Sequence, residues 1–308
     1  MNFVGLDIGG TNTKGVVIGE SGNVLAEYSQ PTVKGSAGVV QGALQVVRHL
    51  ANQSGLSLTE LAGLGIGMPG VIDIAGGTVS HAVNVGIFEQ PLALAKILAQ
   101  ELGIPVILEN DLNIAAIGAA FLANDDDDAL TDLAFLSLGT GVAAGYVLNG
   151  VLWRGAGAAG EVGHIPIDPA GPECKCGQRG CLELYCSGSA LEAMWPAAGE
   201  LPGPQVLLRA AAAGDAEAVK RLENYFQSIA LAIRIVALTL DPARIVIGGG
   251  VVRLGPPLLA GVRHALEELA ANSPFLQSLA LPARLSMADP DVPVAAIGAA
   301  VLARTSVS

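Results

Sequence analysis

Asp7-Ile8-Gly9-Gly10-Thr11-Asn12-Thr13-Lys14 gathers a carboxylate, two glycines, hydroxyls and an ammonium into one short segment. Glycines at a strand bend let backbone N–H groups approach phosphate oxygens. Hydroxyls and a Lys add donors, and the carboxylate can hold Mg²⁺ directly or through water. An ordinary glycine hairpin is the competing reading. The segment is not a Walker loop, because no Gly-x-x-x-x-Gly-Lys-Ser/Thr occurs in the chain. Gly139-Thr140-Gly141 occupies the matching place in a second, similar pattern, and Gly248-Gly249-Gly250 follows a short apolar run. Both read as turns that bring backbone close to a nucleotide, against the plainer reading of tight connections.

Glu109-Asn110-Asp111 follows an apolar strand and opens a helix. A carboxylate there suits the proton acceptor that phosphoryl transfer asks for, with Asp111 in that role. Helix capping by Asn110 or Asp111 uses the same residue types. The most specific pattern is His164, Cys174, Cys176 and Cys181, spaced His-x9-Cys-x-Cys-x4-Cys with Gly177 and Gly180 inside it. Three thiolates and an imidazole suit tetrahedral Zn²⁺ and leave no open position, so the metal is expected to be structural. A set of four thiolates, with Cys186 replacing His164, is the alternative. In its Tyr-Cys-Ser context Cys186 reads as a small apolar filler. Glu161 and Glu183 flank this block. A rigid metal loop would fix both as acceptors for the hydroxyls of a polyol, whereas solvated surface carboxylates need no such role. His49, His81 and His264 stand alone and carry no site.

These groups must be held by a folded scaffold. The 308 residues are 51 % hydrophobic and 14 % charged, enough apolar material for two lobes. The mean hydropathy of +0.53 raises the question of a membrane. No apolar run reaches the length of a span, and the first residues are no signal peptide, so a cytoplasmic protein is expected. A net charge of −12 argues against nucleic-acid partners. The acidic run Asp125–Asp128 reads as a solvated loop, with calcium binding as the alternative.

Phe3–Ile8, Lys14–Ile18 and Val24–Tyr28 read as strands around the first glycine turn and a Ser21-Gly22-Asn23 turn. Leu133–Leu138, Val142–Leu148 and Val151–Trp153 repeat that pattern, with Asn149-Gly150 as a two-residue hairpin turn. Val106–Leu108 and Ile245–Ile247 read as further strands. Helices are expected over 39–53, 92–102, 113–123, 256–271 and 295–303, and over 205–240 with a break at Gly214-Asp215. Alternating strands and helices indicate an α/β protein with a partly parallel sheet. The expected lobes are 1–113, completed by a C-terminal helix at 292–308, and 114–291, which carries the metal loop 164–181. The cleft between lobes is the default ligand site.

Taken together, these residues resemble the ROK family (repressor, open reading frame, kinase) over nearly the whole chain. The resemblance rests on Asp7-Ile8-Gly9-Gly10-Thr11, Gly65-Ile66-Gly67-Met68-Pro69-Gly70, Glu109-Asn110-Asp111, Gly139-Thr140-Gly141, Gly160-Glu161-Val162-Gly163-His164, the Cys174-to-Glu183 block and Gly248-Gly249-Gly250. It implies an actin-like, ribonuclease-H-like fold and an ATP- and Mg²⁺-dependent kinase acting on the C6 hydroxyl of an aldohexose, glucose first. N-acetylglucosamine or N-acetylmannosamine kinase is the alternative, and a non-catalytic sugar sensor is the rival of another class. It implies Asp111 as base, with Asn110, Glu161, His164, Glu183, Gly70 and Asn84 at the sugar. Asp7, Gly9, Gly10, Thr11, Thr13, Lys14, Gly139, Thr140, Gly141, Gly249 and Gly250 would serve the nucleotide and its metal. His164 would both ligate zinc and touch sugar. A homodimer or homotetramer is implied. Family repressors carry an N-terminal helix-turn-helix, and none is expected ahead of a strand that begins at Phe3. Ala143-Ala144, Leu112, Ile114 and Asn12 depart from the family's usual residues.

Overall fold

The computed structural model describes residues 1–124 and 132–307. The run Asp125–Asp128 lies outside the described residues. The strands are β1 Asn2–Ile8, β2 Asn12–Ile18, β3 Val24–Pro31, β4 Leu61–Met68, β5 Val71–Asp73, β6 Thr78–Ser80, β7 Val106–Asn110, β8 Leu133–Leu138, β9 Val142–Leu148, β10 Val151–Leu152, β11 Arg244–Gly248 and β12 Leu285–Met287. The helices are α1 Ser36–Gln53, α2 Leu94–Leu102, α3 Asp111–Leu122, α4 Glu183–Cys186, α5 Gly188–Met194, α6 Gly203–Ala212, α7 Ala216–Leu240, α8 Pro256–Ala270, α9 Pro274–Ser278, α10 Leu281–Arg284 and α11 Val294–Val307.

The repeat seen in the strand pattern is a repeat of topology. One sheet runs β3-β2-β1-β4-β7 and the other β10-β9-β8-β11-β12. In each, an antiparallel meander continues into two parallel strands. Asn149 and Gly150 both take positive φ, 52° and 72°, as the tight hairpin between β9 and β10 requires. Gly214 and the N-cap Asp215 separate α6 from α7, and the Asp215 carboxylate accepts the N–H groups of Glu217 and Ala218.

The chain divides into two units, Met1–Ala129 with Val292–Ser308, and Leu130–Asp291. The boundary expected after residue 113 therefore falls later. α3 packs chiefly against α11, which itself lies directly on the first sheet, so α3 belongs with the first unit. Each unit has its own core: Leu6, Ile66 and Leu108 with Leu50 of α1 in the first, and Leu136, Ile247 and Tyr225 in the second.

β4 lies between β1 and β7, yet Leu-Ala-Gly-Leu-Gly-Ile-Gly-Met shows no alternation of branched residues and was not expected as a strand. Its glycines have a tertiary cause. A Cβ on Gly65 would fall on the Ala299 carbonyl of α11, and one on Gly5 of β1 on the Ala296 carbonyl. Gly118 of α3 and Gly298 of α11 likewise let those two helices touch backbone to backbone. Ile114 is fully buried against Gly67, so its bulk serves this packing.

Candidate active site

In the first unit, register alone lines up the chemistry. Lys14 pairs with Asp7, Asp7 with Gly67, and Gly67 with Glu109, a row across β2, β1, β4 and β7. Asn110 ends β7 and caps α3: Leu112 N–H donates to Asn110 Oδ1 at 2.9 Å and to Asp111 Oδ1 at 2.9 Å. The capping reading of Asn110 thus holds, and it leaves Asp111 as the first helical residue. Asp7 is half-buried near this carboxylate. Burial, then repulsion from Asp111, pushes the Asp7 carboxyl up to about 7, against the smaller downward pull of Lys14. Two carboxyls and an ammonium at the end of a sheet can share a divalent cation or a proton, and Lys14 can face an anion.

The turn after β1 is held by bonds that the sequence did not advertise. Gly9 N–H donates to Asn12 O at 3.0 Å. Thr32 donates its hydroxyl to Gly9 O at 2.7 Å and its N–H to Thr11 O at 2.8 Å. Thr13 was expected at the phosphates. Instead it is buried, with its hydroxyl bonded to Thr32 at 3.0 Å, because the strand pleat turns it away from Asp7 and Lys14. Asn84 is exposed in a short turn, and its backbone lies against Gly10, where a Cβ would meet Asn84 Cβ at 3.0 Å. Gly70, at φ 107°, lets the chain leaving β4 pass close to Ser80 and Ala82.

In the second unit, the turn after β8 opens on a cavity of about 470 Å³. Gly139, Thr140 and Gly250 line it, as do Gly188, Gln205 and Arg253, which sequence reasoning missed. Gly188 is drawn in by its N–H donating to Gly139 O at 2.7 Å. The only sequence signal for Gln205 was its place at a helix start, after Pro202 and Pro204. Gly141 and Gly249 were expected at the nucleotide but do not line this cavity. A Cβ on Gly141 would meet Glu183, and Gly249, at φ 84°, packs its Cα against the Leu138 backbone.

The spaced cysteines converge. His164, Cys174, Cys176 and Cys181 each offer one ligand atom, all within 4.8 Å of one another. Cys176 Sγ lies 3.6 Å from Cys181 Sγ, and Cys174 Sγ lies 3.8 Å from His164 Nδ1. Tetrahedral zinc with ~2.3 Å bonds separates its sulfurs by about 3.8 Å, so these residues fit the ion. The knuckle closes through Cys174 N–H on Gln178 O and Gly177 N–H on Cys174 O, with Gly177 and Gly180 at positive φ. Gln178 N–H and amide donors hold the Cys176 thiol down to about 6, while burial pushes Cys181 up to about 12. Cys186 stands outside the cluster, fully buried, its thiol on Leu182 O. His164 presents Nδ1 to Glu183 at 3.6 Å and Nε2 to Glu161 at 4.0 Å, which brings Glu161 and Glu183 to one imidazole. No helix among the described residues is long and apolar enough to cross a membrane.

Two α/β units with one repeated strand order, each bending at a glycine turn after its first strand, define the actin-like ATPase fold. Within it the chain belongs to the ROK family, which it matches over residues 3–306. It is 33 % identical over 288 residues to a glucokinase of Halalkalibacterium halodurans, covering 87 % of this chain and 86 % of the relative. It is 38 % identical over 205 residues to an N-acetylmannosamine kinase of Citrobacter koseri, covering 66 % of each. The crystal structure of a ROK family glucokinase from Streptomyces griseus, in complex with glucose and AMPPNP, matches with a TM-score of 0.77. Its sequence is 27 % identical, with 99 % of this chain and 100 % of the other covered.

Proposed function

We propose that this protein is an ATP-dependent hexokinase of glucokinase type, transferring the γ-phosphoryl group to the C6 hydroxyl of glucose. The observation that carries the reading is the Asp111 carboxylate on the first turn of α3, directly after β7, whose register row contains Asp7 and Lys14. In this mechanism Asp111 accepts the C6 proton as the sugar oxygen attacks phosphorus in line. Asp7 and Lys14 serve the metal and phosphates beside the Gly9-Gly10-Thr11 turn. Bound Mg²⁺ would neutralise charge on the phosphate oxygens. The cavity lined by Gly139, Thr140 and Gly250 takes the nucleoside.

Asn110, Glu161, His164 and Glu183 take the sugar hydroxyls. Zn²⁺ on His164, Cys174, Cys176 and Cys181 would keep that loop rigid without entering the reaction. N-acetylmannosamine is the second reading, supported by the identity to the N-acetylmannosamine kinase. An ADP-release assay across glucose, mannose, fructose, N-acetylglucosamine and N-acetylmannosamine separates them. Glucose is expected to show the highest kcat/KM. A higher value for an N-acetyl sugar replaces the first reading with the second. Sugar binding without ADP release from any of the five makes the protein a sensor.

A further inference from the structure

Glu109 is buried and has no part in the mechanism above. Among the described residues it is the only buried carboxylate. Enclosing a carboxylate is costly unless donors replace its water, and an apolar side chain would end a buried strand more cheaply. Its surroundings supply those donors. Glu109 Oε1 accepts the Asn110 N–H at 2.9 Å and the Asn113 side-chain amide at 2.8 Å. Both donors belong to the entry of α3.

The arrangement inverts the usual capping box. There, a Glu or Gln at the third helical position reaches back to accept the N–H of the capping residue. Here Asn113 holds that third position and donates. Glu109, ahead of the cap, accepts the N–H of Asn110 instead. Asp111 lies between the two residues so tied. Glu109 is itself fixed by strand register, paired with Gly67 in the row that also contains Asp7.

We propose that Glu109 and Asn113 form a buried clamp that fixes the first turn of α3 and thereby aims the Asp111 carboxylate. The proposal rests on the reading of Asp111 as the base. Glu109 and Asn113 are positioning residues and touch no reacting atom. Their effect belongs chiefly to the chemical step, since proton acceptance needs hydrogen-bond reach, while Glu161, His164 and Glu183 hold the sugar independently of the clamp.

The test uses the full-length, zinc-loaded protein, ATP and the sugar it turns over fastest. Asn113 is only partly buried, so its variants should fold. Asn113→Ala removes one arm, and kcat is expected to fall about 10-fold, whereas Asn113→Asp sets two carboxylates against each other and costs about 10²-fold, the loss that roughly 1 Å of misplacement brings. Both KM values are expected to stay within about threefold, since Glu161, His164, Glu183 and the nucleotide groups are unaltered by the substitution. The double variant Glu109→Gln/Asn113→Asp exchanges donor and acceptor while keeping an oxygen for the Asn110 N–H. It is expected to recover most of the kcat lost in Asn113→Asp. A merely structural role would lower the melting temperature, leave kcat per folded molecule unchanged and show no such rescue.

Asp111→Asn is measured in parallel. If it is inactive while Asn113→Asp keeps normal kcat, the clamp is overturned and the base stands. If Asn113→Asp is slow but the double variant is no faster, the clamp is likewise overturned. If Asp111→Asn turns over normally, the base reading falls and the clamp's role falls with it.

Discussion

A carboxylate one residue from a helix cap can serve the helix end, the chemistry, or both. Asn110 Oδ1 and Asp111 Oδ1 both accept the Leu112 N–H at the start of α3, and the proposed base is the Asp111 carboxylate. Asp111→Asn is expected to cut kcat by roughly 10²–10⁴-fold with sugar affinity largely kept, as removal of a general base does. Stopped assays with calorimetric sugar binding check both halves, and near-normal turnover would refute the assignment. Asp7 carries a second prediction. Its carboxyl is raised from 3.8 to about 7, so the folded chain keeps a proton that the unfolded chain has released. This group therefore favours the unfolded state progressively as pH rises through that window, and stability falls with it. Urea midpoints of the protein free of nucleotide and metal should decline between about pH 4 and pH 7, and Asp7→Asn should flatten that slope. An unchanged slope in the variant would remove Asp7 as the cause.

The elements that carry these residues depend on close backbone approach. β4 and α11 meet at Gly65 and Ala299, with backbone on both sides and no flexible side chain to yield. Gly65→Ala is expected to cost about 3 kcal/mol or to prevent folding, the upper range for overpacking a core. Chemical denaturation measures this, and a change below about 0.5 kcal/mol would mean the two elements can separate freely. The metal loop is a different kind of element, closed by ligands more than by apolar contact. Cys176 is exposed, so Cys176→Ser should fold, yet zinc per chain measured by atomic spectroscopy should fall, and sugar affinity with it. A full complement of zinc in that variant would take Cys176 out of the ligand set. The strand–turn–strand meanders, the break at Gly214-Asp215 and the cysteine knuckle were all legible in the sequence, because each is decided by neighbours in the chain. β4 was not legible, because Gly65 answers to a helix more than 200 residues later and Gly67 to Ile114 of α3.

At the scale of the molecule, the repeated order of the two sheets turns a loose similarity of strand patterns into one topology used twice. Each copy bends at a glycine turn after its first strand, and each turn is completed by residues from elsewhere in its own unit: Thr32 and Asn84 in the first, Gly188 and Gly250 in the second. What the sequence by itself determined was the set of reactive groups and the local turns that present them. Spacing along the chain is enough to place a thiolate knuckle, a Gly-Thr turn or an Asn-Asp helix start. Only the tertiary structure decided which of those groups are enclosed and by what. It buried Thr13 against Thr32 and set Gly249 against the Leu138 backbone. It also enclosed Glu109 at the foot of α3. Burial and register arise from contacts between distant segments, and no local spacing encodes which neighbour will supply a donor once water has been excluded.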